Sequence, residues 1–125
     1  MNVVTFEAST PLRICGLAPT DVRVQVETAL MREPGADLNA VADALAMSPR
    51  SLQRALALAG EHFQIVRTRV RLALADRLLV EPGSKVECVA RDVGFQSTAH
   101  FVGWFRRHRG AAPSDFRRAR QRLAA

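Results

Sequence analysis

The chain repeats itself. Leu38, Val41, Ala42, Leu45 and Met47 return 48 positions later as Val86, Val89, Ala90, Val93 and Phe95. Ser48, Leu52 and Leu56 return 49 positions later as Ser97, Phe101 and Phe105. Self-similarity of this kind marks one supersecondary unit used twice. Each copy reads as a short helix, a tight turn of about three to four residues, and a second helix with apolar residues at i and i+4. The small alanine lets the two helices approach, and the apolar pair holds the second on the first. The one-residue change of offset falls in the turn, where an insertion is tolerated. Two helix-turn-helix units satisfy the pattern. A generic bundle of helical hairpins that merely echoes itself is the alternative.

Around this repeat the spacing predicts an all-α chain of about seven helices, with "VVTF" near the start the sole plausible strand. Gly/Pro punctuation at 33–37, 81–84 and 110–113 divides it. The first helix is expected from about Thr20, as N-cap, to Arg32, and the second from Asp37 to near Ala46. Ser48 followed by Pro49 opens a third, over about 49–59. A fourth, over about 62–80, reaches roughly 28 Å at 1.5 Å per residue. Ser84 and Glu87 form a capping box for a fifth helix ending at Val93. The sixth covers about 97–109, and the seventh begins near Pro113. The domain division that follows is an N-terminal extension over 1–19, a first helix-turn-helix subdomain over 20–60, a linker helix over 61–80 and a second subdomain over 81–125.

Charge narrows the partner. Of the 18 basic residues, 17 are Arg, and the formal net charge is +6. Residues 1–47 carry three Arg against six acids, whereas 48–125 carry fifteen basic residues against six acids. A basic excess confined to the last two thirds of the chain suggests a polyanion, most often nucleic acid. The competing reading is a cationic surface kept for solubility. No apolar run approaches membrane-spanning length, and "MNVVTFEAST" lacks a secretory signal, so a cytoplasmic location and no membrane are expected. Cys15 and Cys88 have no metal-ligand or CxxC spacing. His62, His100 and His108 have none either, and neither a nucleophile elbow nor a phosphate-cradling Gly loop occurs. Neither cofactor, metal nor enzymatic activity is expected.

"VADALAMSPRSLQRAL", "RLALADRLL", "VECVARDVGFQSTAHFVGWF" and "GAAPSDFRR" together resemble the DNA-binding domain of AraC/XylS-type bacterial transcription regulators, over about residues 20–120. Ala90, Gly94-Phe95, Phe101, Phe105, Gly110, Pro113 and Phe116-Arg117 carry the pattern. The resemblance implies two helix-turn-helix units on a rigid linker, reading consecutive major-groove segments of double-stranded DNA. Adjacent segments on one face of a duplex lie about 34 Å apart, close to what such a linker spans, so one chain is expected to bind as a monomer.

On the third helix Leu52 and Leu56 point inward, which leaves Arg50, Gln53 and Arg54 outward. Arg can bond guanine O6/N7 and Gln adenine N6/N7 in pairs, and the family places base contacts at these positions. On the sixth helix Phe101, Trp104 and Phe105, with Phe95 at the turn, form an apolar anchor. Trp104 stacked on a base is the alternative to Trp104 in the core. Gly103 departs from the family, many of whose members place a long base-contacting residue there. The second unit is therefore expected to read fewer bases and to depend more on phosphate contacts and shape, with Ser97, Thr98 and His100 as the closest contacts and Gly103 among the base-contacting positions; His100 as mere packing is the alternative. Phosphate contacts are assigned to Ser48, Ser51, Arg106, Arg107, Arg109 and Arg117, with Arg118 among them and some pairing with Asp92 or Asp115. Arg71 matches a recurrent family arginine with a structural role. The apolar run Leu72–Ala75 either covers the segment "NVVTFEASTPLRICGL" or marks a partner surface.

The function expected is a sequence-specific transcription regulator, an activator by the family's habit, with RNA polymerase and a regulatory protein as further partners. The Met1 start favours a short stand-alone form over a fragment of a larger regulator. The alternative, kept open by Gly103, is an adaptor or co-activator that binds polymerase or another regulator and contacts DNA weakly.

Overall fold

The structure is a computed structural model that describes residues 19–124, with side chains placed from 22 to 123. It contains seven helices and, among the described residues, no strand: α1 (Pro19–Arg32), α2 (Leu38–Ala44), α3 (Pro49–Leu58), α4 (Phe63–Leu79), α5 (Val86–Asp92), α6 (Thr98–Arg109) and α7 (Pro113–Ala124). The expected strand at "VVTF" lies outside the described residues.

Two caps follow directly from the repeat. Ser48 is extended (φ −75°, ψ 153°) and its hydroxyl accepts from the Ser51 backbone N–H at 3.1 Å. Ser97 does the same for His100 at 3.2 Å. Each satisfies one of the donors that a helix start leaves without a partner. The turns match bond for bond as well: Met47 N–H donates to Ala42 and Phe95 N–H to Ala90, both at 2.9 Å. Gln96, exposed between Phe95 and Ser97, is the extra residue that shifts the offset.

Two local expectations fail. Thr20 lies inside α1, which starts at Pro19. The Ser84/Glu87 capping box does not form, because Lys85 is the residue before α5 and makes no side-chain cap bond. The Ser84 hydroxyl is taken by Arg117, whose Nη2 donates to it at 2.9 Å. A charge-assisted bond from a cation outweighs a neutral cap of about 1 kcal/mol.

Apolar burial divides into two cores. The first gathers Val22, Val26 and Leu30 of α1, Val41 and Ala42 of α2, Leu52 and Leu56 of α3, and Phe63, Val66 and Val70 of α4. The second gathers Leu74, Ala75 and Leu79 of α4, Val89 and Ala90 of α5, and Phe95, Phe101, Trp104 and Phe105. Helix α4 serves both, its first half packing into one core and its second half into the other, and for that reason it has no single apolar face. Its 17 residues give roughly 25 Å, slightly less than the sequence spacing suggests. Leu74 and Ala75 of the apolar run are accounted for by the second core, while Ala73 is exposed.

Candidate nucleic-acid interface

Helix α3 buries Leu52 and Leu56 and exposes Arg50, Ser51, Gln53 and Arg54. The split is the direct result of apolar residues four apart, one helical turn, with Arg50, Ser51, Gln53 and Arg54 filling most of the positions around Leu52; the last turn is apolar as well, with Leu58 exposed. No described carboxylate pairs with Arg50 or Arg54, so both guanidinium groups keep their full donor sets. Ser48 is more occupied than the sequence suggests: its hydroxyl accepts from Ser51 N–H and donates to Ser51 Oγ at 2.9 Å.

Helix α6 is fixed by aromatic packing. Phe101 and Phe105 are fully buried, and Trp104 is buried with its ring centre 5.0 Å from that of Phe95. Trp104 is a core residue, and the stacking alternative fails because its ring faces Phe95 and Phe101 rather than solvent. Burial of each of the two phenylalanines contributes roughly 1.5–3 kcal/mol, enough to hold the helix whatever its outer face carries. That outer face presents Ala99, His100, Arg106 and Arg107 as exposed residues, with Thr98, Val102 and Gly103 half-buried. The His100 ring also meets Phe95 edge-on at 5.3 Å, so it packs at one edge while remaining accessible. A side chain at Gly103 would have room: the nearest atom to an added Cβ is Nη1 of Arg107, at 3.9 Å. The Arg107 guanidinium thus swings back one turn along α6 and lies beside the gap.

The arginines fall into three groups. Some pair with carboxylates: Arg23 and Arg69 with Glu61, Arg69 also with Glu27, and Arg118 with Asp115. Others donate to carbonyls within the fold. Arg71, buried, donates through Nε to the Val93 carbonyl at 3.0 Å, and burial first, then the nearby Arg67 charge, pushes its pKa down to about 10. It remains a cation at neutral pH, as a structural arginine. The third group, which includes Arg50, Arg54, Arg91, Arg106 and Arg107, is exposed and forms no ion pair with a described residue. Arg50, Arg54, Arg91, Arg106 and Arg107 lie on α3, α5 and α6, the helices of the repeat, while Arg32, Arg77, Arg120 and Arg122, exposed and without an ion pair to a described residue as well, lie on α1, α4 and α7.

Two residues assigned to phosphate make contacts within the fold. Arg109 makes a two-pronged contact with Asp76 of α4, Nε to Oδ1 at 3.2 Å and Nη2 to Oδ2 at 2.5 Å. Arg117 is half-buried, donating from Nε to the Leu79 carbonyl at 2.8 Å and from Nη2 to Ser84. Both tie the second unit to the end of the linker, because folding places a carboxylate or an open carbonyl within reach. Residues the sequence reading passed over are Gln96 and Arg91, which with Glu87 and Thr98 line an open cleft at the start of α6. The jump in repeat offset was the available signal for Gln96.

Comparison with known proteins agrees with this geometry. Residues 41–119 match the family described as helix-turn-helix domain. The chain is 35% identical over 109 residues to the ornithine utilization regulator of Pseudomonas aeruginosa, covering 82% of this chain and 32% of that protein. It is 34% identical over 80 residues to the transcriptional activator RhrA of Rhizobium meliloti, covering 62% of this chain and 26% of that one. The chain therefore spans about a third or less of these relatives' length. Among solved structures it is similar to a DNA-binding transcriptional dual regulator from Escherichia coli K-12, with TM-score 0.69 and 26% identity over 78% of this chain and 96% of that one. It is similar also to the DNA-binding domain of AdpA, a global transcriptional factor solved in complex with a target DNA, with TM-score 0.66 and 28% identity over 78% of this chain and 90% of that one. With two helix-turn-helix units on one linker helix, a family match over more than half its length and these neighbours, the chain belongs to the AraC-type family of helix-turn-helix DNA-binding domains.

Proposed function

We propose that the chain binds duplex DNA sequence-specifically, with α3 and α6 entering successive major-groove segments, and regulates transcription from that position as an activator. The observation that carries this is the pairing of a buried apolar spine with an exposed Arg/Gln face on α3, repeated in α6 with aromatics inside and basic residues outside. In this reading Arg50, Gln53 and Arg54 contact bases, Ser97, Thr98, His100 and the Gly103 backbone contact the second segment, and Ser51, Arg106 and Arg107 meet phosphates. DNA-bound AdpA and the activator RhrA support the two halves of the proposal. The chain acts in the bacterial cytoplasm and not as an enzyme; it binds as a monomer, and RNA polymerase and a regulatory protein are its further partners. No helix among the described residues is long and apolar enough to cross a membrane.

The test is selection of bound duplexes from a random pool, followed by footprinting. Two protected segments about 10 base pairs apart, with a shared sequence in each, are expected. Recovery of unrelated sequences would instead favour an adaptor that touches DNA only through charge.

A further inference from the structure

The two units touch each other away from the linker axis. The loop between α1 and α2 brings Gly35 against the α5–α6 turn at Gly94, so closely that a Cβ on Gly94 would lie 2.5 Å from the Gly35 nitrogen. Two arginines of α4, one helical turn apart, stand behind this contact. Arg67 donates through Nε to the Ala36 carbonyl at 2.9 Å and through Nη2 to the Gly35 carbonyl at 3.1 Å. Arg71 donates to Val93, the residue before Gly94, at 3.0 Å. One unit's loop is thus held by Arg67, the other's turn by Arg71, and the two held segments meet backbone to backbone.

We infer that Arg67 is a positioning residue: by pinning the α1–α2 loop on the α5–α6 turn, it makes the two units one rigid body and so sets the spacing of DNA segments the chain accepts. The linker helix, packed into both cores, fixes distance but leaves bending of the helix between the two cores as a freedom of one unit against the other. A second contact beside the axis removes that freedom. The like charges of Arg67 and Arg71 would repel one another. Carbonyls from both units offset that repulsion, Gly35 and Ala36 at Arg67 and Val93 at Arg71, so it is best relieved with loop and turn both in place. The consequence for DNA is angular, because one base pair turns the second segment by about 34° relative to the first. This inference rests on the two-segment reading for its effect on DNA, but not for the rigidity itself.

The experiment separates these. In a Cys15→Ser/Cys88→Ser chain, spin labels are placed on cysteines replacing Ala57 of α3 and Ala99 of α6, both exposed. Without DNA, one narrow distance distribution is expected. Arg67→Ala should broaden it markedly, Arg67→Lys should restore most of the narrowness, and Arg77→Ala, an exposed arginine on the same helix, should leave it unchanged. An unchanged width in Arg67→Ala, or equal broadening in Arg77→Ala, overturns the inference. The unlabelled chain is then titrated with its selected duplex and with versions one base pair longer or shorter between segments. Roughly tenfold loss per step is expected for the parent, and a much flatter profile for Arg67→Ala. A parent chain indifferent to spacing would overturn the two-segment reading while the label result stands.

Discussion

The guanidinium carbon of Arg71 lies 4.1 Å from the centre of the Phe95 ring. The contact joins the linker helix to the turn of the second unit through a cation held over an aromatic face, and the same side chain donates to the Val93 carbonyl. Both interactions depend on a flat, charged group with a donor at its side, which arginine has and lysine lacks.

Arg71→Ala is expected to cost about 2–4 kcal/mol, from a charge-assisted hydrogen bond and a desolvated cation–aromatic contact, less the desolvation that the cation no longer suffers. Arg71→Lys should recover little. Because the folded-state pKa is pushed down to about 10, the folded chain holds fewer protons than the unfolded one only above that value. The desolvation cost is therefore constant around neutral pH and relieved only as pH climbs past about 10. Urea unfolding of both variants measures the loss, and a change below about 1 kcal/mol in Arg71→Ala would contradict the structural role.

Ala46 has φ 58°, a left-handed conformation, at the position where the second copy has Gly94. A side chain there costs about 1–2 kcal/mol, partly offset by the greater freedom glycine has in the unfolded chain. Ala46→Gly should stabilise the fold by about 0.5–1 kcal/mol, read as a rise in the urea midpoint at unchanged slope. A fall in the midpoint would show that the Ala46 methyl makes a compensating contact.

Gly103→Ala should stabilise α6 by about 1 kcal/mol, since glycine inside a helix is unfavourable and the added methyl meets nothing closer than Arg107. Thermal unfolding provides the check. If the variant is more stable but binds DNA at least tenfold less well, the Gly103 backbone lies against the duplex, as the proposed contact requires.

Arg54→Ala and Arg107→Ala should differ in kind. The first is expected to lose about 1–3 kcal/mol of discrimination between the selected duplex and a scrambled one. The second should weaken both alike and lower the salt dependence by about one phosphate. Mobility shifts at two salt concentrations distinguish them. Since Arg107 lies beside the gap at Gly103, loss of sequence preference in Arg107→Ala would reassign it to base contact.

Much of the fold could be read from residue spacing. Leu52 and Leu56, Phe101 and Phe105, and the serines that cap α3 and α6 act within one turn of their own helices, and local periodicity reports such relationships directly. The outward face of α3 was legible for the same reason: whatever lies between two buried positions must point away from them. The fates of Ser84, Arg109 and Arg117 were not legible in this way.

What the sequence by itself determined is the repeated unit, its caps, its aromatic spine and its excess of arginine, all properties of neighbours a few residues apart. What only the tertiary structure decided is which arginines remain available. Arg109 finds Asp76, Arg117 finds Leu79 and Ser84, and Arg67 finds Gly35 and Ala36, partners more than thirty positions distant in every case. A guanidinium carries the same charge wherever it stands in the chain. Whether that charge is spent inside the fold or offered to a phosphate depends on which carbonyls and carboxylates packing brings within about 3 Å, a matter of topology rather than of residue type.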